Sequence, residues 1–305
     1  MRNKKSSFFI IMLISLIPAV SVYGIYKLFP VRTKKENVWG IGIYKGSSPL
    51  QIHPVDSIVC PVIKASDVTD VKASFVADPF LIKKDSVWYM FFEVFNTETG
   101  QGDIGCASSY DGKNWNYLKI VIDEKYHISY PFVFEYNKQI YLIPESAEGR
   151  KLCLYRAVEF PFKWENCSTL LHGRFGDHAL IRYNDIWWLF AGSEPKKHNS
   201  LKLFYSDDLF GEWKEHPMSP VVKNDARKAR PGGRFLFVDG KLIRFTQNCS
   251  PTYGRELLAY QITRLTESDY SEQKLTNNPV LKNSGTGWNR HGMHHVEPIQ
   301  IDDQK

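Results

Sequence analysis

The sequence has little of what marks the common enzyme and binding classes. It has five cysteines in 305 residues (Cys60, Cys106, Cys153, Cys167 and Cys249), with no CxxC pair and no metal-type spacing. That excludes a disulfide-dense mini-domain and a zinc module. No P-loop, GxGxxG, GxSxG or HExxH motif is present. No phosphate loop, dinucleotide cradle, nucleophile elbow or zincin helix is therefore expected, and no cofactor. Residues 1–35 contain no acid, but they hold Arg2, Lys4, Lys5, Lys27, Arg32, Lys34 and Lys35. Those seven account for the formal charge of +6, because 32 bases face 33 acids in the remainder. A body that is almost neutral and has no basic stripe disfavours nucleic acid as a partner.

One long uncharged run is present, Phe8 to Tyr26, with bases on both sides. As a helix, 19 residues rise about 28 Å, close to the hydrocarbon thickness of a bilayer. The run predicts an N-terminal membrane anchor over residues 1–35, a cytoplasmic N-terminus and an exported body. A cleaved signal peptide is the alternative, with Ala19 and Ser21 as small residues at a cleavage site.

The body, residues 36–305, is read as one domain built from a repeat. ADPFLIKKDSVWYMFFEVFN begins at Ala77, SYPFVFEYNKQIYLIPES at Ser129, DHALIRYNDIWWLFAGS at Asp177 and RPGGRFLFVDGKLIRFTQN at Arg230. Each unit is an apolar strand, a turn such as Lys84-Asp85 or Asp239-Gly240, an aromatic-rich strand, a loop and a third strand. Trp115, Trp164 and Trp213 recur at the same place in three units, 49 residues apart each time. A period of this length, with about four strands per unit, is the pattern of a β-propeller blade. Residues 37–74 and 283–305 remain, and each holds a strand-like run, around Val38–Tyr44 and His294–Ile301. If both ends share one further blade, the ring closes as an all-β, five-bladed propeller.

Ala77-Asp78-Pro79-Phe80, the second strand ending in Glu93 and the Asp111-Gly112…Trp115 turn resemble the five-bladed propellers of the arabinanase, invertase and levansucrase group. DIGCASSYDGKNW, HISYPFVFEYNKQIYLIPES, LYRAVEFPFKW, FTQNCSPTYGREL and GWNRHGMHHVEP resemble the N-terminal domain of the glucosamine inositolphosphorylceramide transferase family, in order from about Trp39 onward. This resemblance implies a membrane-anchored protein directed at a carbohydrate or glycolipid. In the family's plant enzyme a glycosyltransferase domain follows the propeller. With this sequence ending at Lys305, a separate glycosyltransferase is the expected partner.

First strands line the channel of a propeller, so their entrances name the candidate site. Asp78, Tyr130, Asp177 with His178, Arg230 with Arg234, and His294 with His295 stand there, and Glu93, Glu145 and Gln247 end second strands. Glycoside hydrolysis needs two carboxylates, one kept protonated and one ionised. The resemblance to the hydrolase group assigns Asp78 to its catalytic Asp-Pro position. Glu145 or Asp177 is then the candidate acid, and Glu93 the residue that orients either. Where that group carries another Asp at the start of the second blade, this sequence has Tyr130. Arg230, Arg234 and Arg255 are candidates to receive an anionic group. A metal at His294-His295 is disfavoured, because neighbours on a strand point to opposite faces. The expected function is glycan-active, by hydrolysis or glycosyl transfer. The alternative is a non-catalytic sugar- or glycolipid-binding module.

Overall fold

The computed structural model describes residues 39–193 and 195–300, all within a unit spanning Val38–Lys305. The expected anchor, Phe8 to Tyr26, lies outside the described residues. Among the described residues no helix is long and apolar enough to cross a membrane, and the one helical element is a 3-10 turn at Ala65–Asp67.

The fold is all-β and propeller-like. A hairpin, β1 (Tyr44–Ser48) and β2 (Gln51–Pro54), precedes the blades. The first blade is β3 (Ala73–Lys84), β4 (Val87–Asn96), β5 (Gln101–Ser109) and β6 (Asn116–Ile122). The second is β7 (Ser129–Tyr136), β8 (Gln139–Glu145), β9 (Lys151–Glu159) and β10 (Lys163–His172). The third is β11 (His178–Tyr183), β12 (Ile186–Gly192), β13 (Ser200–Ser206) and β14 (Lys214–Glu215), with β15 (Val222–Lys223) also pairing β13. In the fourth, β16 (Arg230–Pro231) and β17 (Leu236–Val238) both pair β18 (Lys241–Asn248), followed by β19 (Glu256–Leu265) and β20 (Tyr270–Lys274). β21 (Leu281–Lys282) adds to β19.

The burial of each strand follows from its depth in the blade. Second strands are covered on both faces by neighbouring blades, and β8, β12 and β18 are buried almost end to end. That is why they read as unbroken aromatic and aliphatic runs. Outer strands such as β10 are largely exposed, with buried residues only at Leu170 and Leu171. The hairpins between first and second strands in blades two to four place two consecutive residues at positive φ: Asn137 and Lys138, Asn184 and Asp185, Asp239 and Gly240. This is the turn whose twist suits adjacent antiparallel strands. Two of the three repeated tryptophans do the same work, while Trp213 Nε1 is buried without a hydrogen-bond partner among the described residues. Trp115 Nε1 donates to the Gly112 carbonyl and Trp164 Nε1 to the Pro161 carbonyl, each three residues back across its turn.

The five-bladed expectation is corrected: the described residues form four blades, not five. Of the two terminal runs, the first contributes only the β1–β2 hairpin and a single bridge, Ile41 to Ile63. The second contributes no strand among the described residues. Instead, His294–Pro298 runs between the first and fourth blades. Val296 N donates to the Gly232 carbonyl (2.9 Å), Leu81 N donates to Glu297 Oε1 (3.2 Å), and Arg234 pairs with Glu297. One backbone bond and a few side-chain contacts, rather than a continuous ladder, hold this segment, and Pro298 has no N–H to extend one.

Candidate active site

The innermost strands converge on Tyr130, which is fully buried. Its ring lies 4.8 Å from Phe80, 5.7 Å from His178 and 5.2 Å from His295, and its hydroxyl accepts from Gly233 N at 2.7 Å. These residues plug the axis. Above the plug opens a pocket of about 280 Å³, bordered by Asp78, Glu93, Glu145, Arg230 and His294, with Trp39 and Tyr253 on one wall and Phe75 and His127 on another.

Strand register explains why the acids meet. Ala77 pairs with Glu93 in the first blade, Ser129 with Glu145 in the second and Arg230 with Gln247 in the fourth. In the third, Gly192 N donates to the Asp177 carbonyl. Each blade therefore delivers the start of its first strand and the end of its second to one level. After Ala77 and after Ser129 the ladder shifts register, and Asp78 (φ 53°) and Tyr130 (φ 47°) occupy the left-handed region just before a proline. A non-glycine residue held there costs about 1–3 kcal/mol, and such residues concentrate at functional sites. The bulge re-aims both side chains toward the axis.

Arg230 organises two of the acids. It donates to both Asp177 oxygens (2.6 and 2.7 Å) and to Glu145 Oε2 (3.4 Å), while its Nη1 lies 3.1 Å from His198 Nδ1. Burial alone would weaken its charge, but Asp177 and Glu145 outweigh burial and hold it protonated. Gln247 donates to Asp177 and to the Pro231 carbonyl, and Ser129 donates to Glu145 at 3.2 Å. Burial raises the Asp177 carboxyl above the usual range, opposed by Arg230 and reinforced by Asp78 and Glu145. Asp177 is fully buried and lies behind the pocket wall.

Asp78 and Glu93 face the pocket in opposite states. Burial would raise Asp78, but a hydrogen bond to His294 Nε2 (3.1 Å) and the nearby His294, His295 and Arg230 hold it below the usual carboxylate range. Glu93 is pushed well above that range by burial and by Asp78, Glu145 and Asp177. Burial keeps His178 and His295 neutral, lowering them to about 3 and about 4. The aromatic wall is close-knit: His294 lies 4.3 Å from Trp39 and 5.4 Å from Tyr253, and Arg230 sits over the Tyr253 ring.

Of the residues predicted for the site, Asp78, Glu93, Glu145, Arg230 and His294 border the pocket, and Asp177, Gln247, Tyr130, His178 and His295 stand directly behind it. Arg234 and Arg255 do not reach it. Arg234 is committed to Glu297 and to the Val133 carbonyl, and Arg255 is exposed elsewhere. The alternation argument for His294 and His295 fails in its premise, since they lie on no strand. Both approach Asp78, His295 at 3.7 Å, though only His294 borders the pocket. The sequence reading missed His127, Trp39 as a pocket residue, and the rim residues Glu148, Arg174 and Lys196. The one available signal was the closeness of His127 to the start of the second repeat.

Solved structures share this propeller fold. An exo-β-1,3-galactanase from Clostridium thermocellum superposes with a TM-score of 0.61 at 14% identity, covering 79% of this chain and 57% of that one. An exo-β-1,3-galactanase from Phanerochaete chrysosporium with galactose bound superposes at 0.59 and 15% identity, covering 79% and 58%. At the level of sequence, residues 31–305 match the family described as glucosamine inositolphosphorylceramide transferase 1, N-terminal, and the chain belongs to that family. Glucosamine inositolphosphorylceramide transferase 1 of Oryza sativa subsp. japonica is 36% identical over 287 residues, and that of Arabidopsis thaliana 35% over 292. These matches cover 87% and 88% of this chain but only 39% and 38% of the relatives.

Proposed function

We propose that the chain is a glycan-active propeller whose pocket binds a carbohydrate and acts at its glycosidic linkage, by hydrolysis or glycosyl transfer. One feature carries the reading: Asp78 and Glu93 line a single pocket, where His294 holds Asp78 below the usual carboxylate range and burial pushes Glu93 well above it. Two acids so separated are what general acid–base chemistry at a glycosidic oxygen requires. Trp39 and Tyr253 offer apolar rings on which a sugar face can stack. In this reading Glu93 is the acid, Asp78 the base or nucleophile, and the Arg230-bound pair Asp177 and Glu145 sets the field around them. The names of the relatives extend the reading to a glycolipid-linked sugar, and the uncharged run Phe8 to Tyr26 extends it to an exported, membrane-anchored body.

A second reading keeps its own support. Tyr130, not an acid, occupies in the second blade the left-handed, pre-proline position that Asp78 occupies in the first. That favours a module that holds a sugar or glycolipid head group without cleaving it. Both readings are tested by screening the full chain on a panel of glycosides beside Asp78→Asn and Glu93→Gln. Turnover by the unmutated chain, lost in both variants, supports the first. Calorimetric sugar binding without turnover supports the second. Neither turnover nor binding overturns both.

A further inference from the structure

His127 belongs to none of the four inner strand entrances, yet it meets the pocket beside Glu93. Its orientation is set by the backbone. Gly102 N donates to His127 Nδ1 at 2.9 Å, and Ile128 N donates to the Gly102 carbonyl at 3.0 Å, so the 127–128 segment is pinned to the start of β5 from both sides. A backbone N–H can donate only to a lone pair, so Nδ1 carries no hydrogen and Nε2 does. Nε2 lies 3.6 Å from Glu93 Oε1.

Gly102 is required for this meeting. A Cβ at that position would stand 2.6 Å from the Ile128 carbonyl oxygen, 2.8 Å from His127 Cε1 and 2.9 Å from Glu93 Oε1. The same point in space is therefore closed by the histidine ring, the Ile128 carbonyl and the Glu93 carboxyl oxygen. Only a residue without a side chain lets all three approach.

We propose that His127 is a positioning residue for Glu93: its Nε2–H faces Oε1 and so assigns the acidic hydrogen to Oε2, the oxygen left for a bound ligand. The inference rests on the reading of Glu93 as the proton-bearing acid. The other charged groups acting on Glu93 are Asp78, Glu145 and Asp177, which oppose its ionisation, and Arg230, which favours it. On the His127 side the neighbouring charge is Glu148, whose Oε2 accepts from His127 N at 3.3 Å. An N–H dipole facing Oε1 at 3.6 Å, just beyond hydrogen-bond length, favours the ionised carboxylate, so removing it raises the midpoint of Glu93 further.

The test is a pH titration of the full chain labelled with 13C at the glutamate carboxyls, with Glu93→Gln identifying the resonance. The expected result is that His127→Phe raises the Glu93 midpoint by about half a pH unit. His127→Gln, whose amide can donate, should return at least half of that shift. A purely structural role would give equal shifts in both variants or none, and either outcome overturns the proposal. A Glu93 midpoint at the ordinary glutamate value in the unmutated chain would instead overturn the acid assignment on which it rests.

Discussion

Two buried charge clusters sit in this ring, and they are built on opposite principles. In the fourth blade Arg244, 1% exposed, donates to both oxygens of Glu272. Tyr270 donates to the same carboxylate at 2.7 Å, Lys228 Nζ approaches it at 3.6 Å, and the Lys228 carbonyl accepts from Arg244 at 3.2 Å. Each oxygen and most donors are used, and Glu272 is held below the usual range once Arg244 and Tyr270 outweigh burial. The pocket cluster brings together Asp78, Glu93, Glu145 and Asp177 around Arg230, and its surplus of acid leaves Glu93 pushed far up. A saturated cluster tightens a blade. A frustrated one, opening on a cavity, is held in place by the fold for another purpose.

The sharpest way to break the contrast is at Arg244. Arg244→Met strands a buried carboxylate and should cost about 3–5 kcal/mol, read as a lowered urea midpoint, while sugar binding by the fraction still folded is unchanged. Next comes the reverse experiment. Asp78→Asn and Glu93→Gln should each reduce turnover by about 10²-fold or more, with a change in the urea midpoint at acid pH far smaller than that of Arg244→Met.

The two clusters should also respond to pH with opposite sign. Glu93 is raised on folding, so its stabilising contribution is present at acid pH and is lost as pH climbs above about 4.3, the unfolded value. Glu272 is lowered, so its contribution is present above that value and is lost as pH falls through the acid range. Glu93→Gln should flatten the decline on the alkaline side, and Glu272→Gln the decline on the acid side, in urea midpoints measured from pH 3 to 8. The smallest effect is expected at the plug. Tyr130→Phe removes the acceptor of Gly233 N and should cost about 1 kcal/mol, measured by thermal unfolding.

Much of this was legible before the structure because repeats carry their own register. The tryptophan interval, the Asp-Gly and Asn-containing turns and the aromatic second strands located four blades. Their common phase brought Asp78, Glu93, Glu145, Asp177 and Arg230 to one level. What stayed hidden depends on contacts without periodicity. The terminal runs read as strands, but whether they pair is decided by partners more than 200 residues away, and they do not form a fifth blade. Arg234 looked like a companion of Arg230, yet Glu297, 63 residues on, takes it away. His127 acquires its role only because β5 begins with Gly102 beside it, a juxtaposition that no motif announces.

The segment His294–Pro298 has a consequence for synthesis. Asp78 is made early and its partner His294 follows 216 residues later. Until that segment docks, the left-handed Asp78 lacks its hydrogen bond, Arg234 lacks Glu297, and the seam between first and fourth blades stands open. Closure of the ring and completion of the pocket are thus one event. A nascent chain that stops short of His294 carries all four blades but leaves Asp78 and Arg234 without these partners.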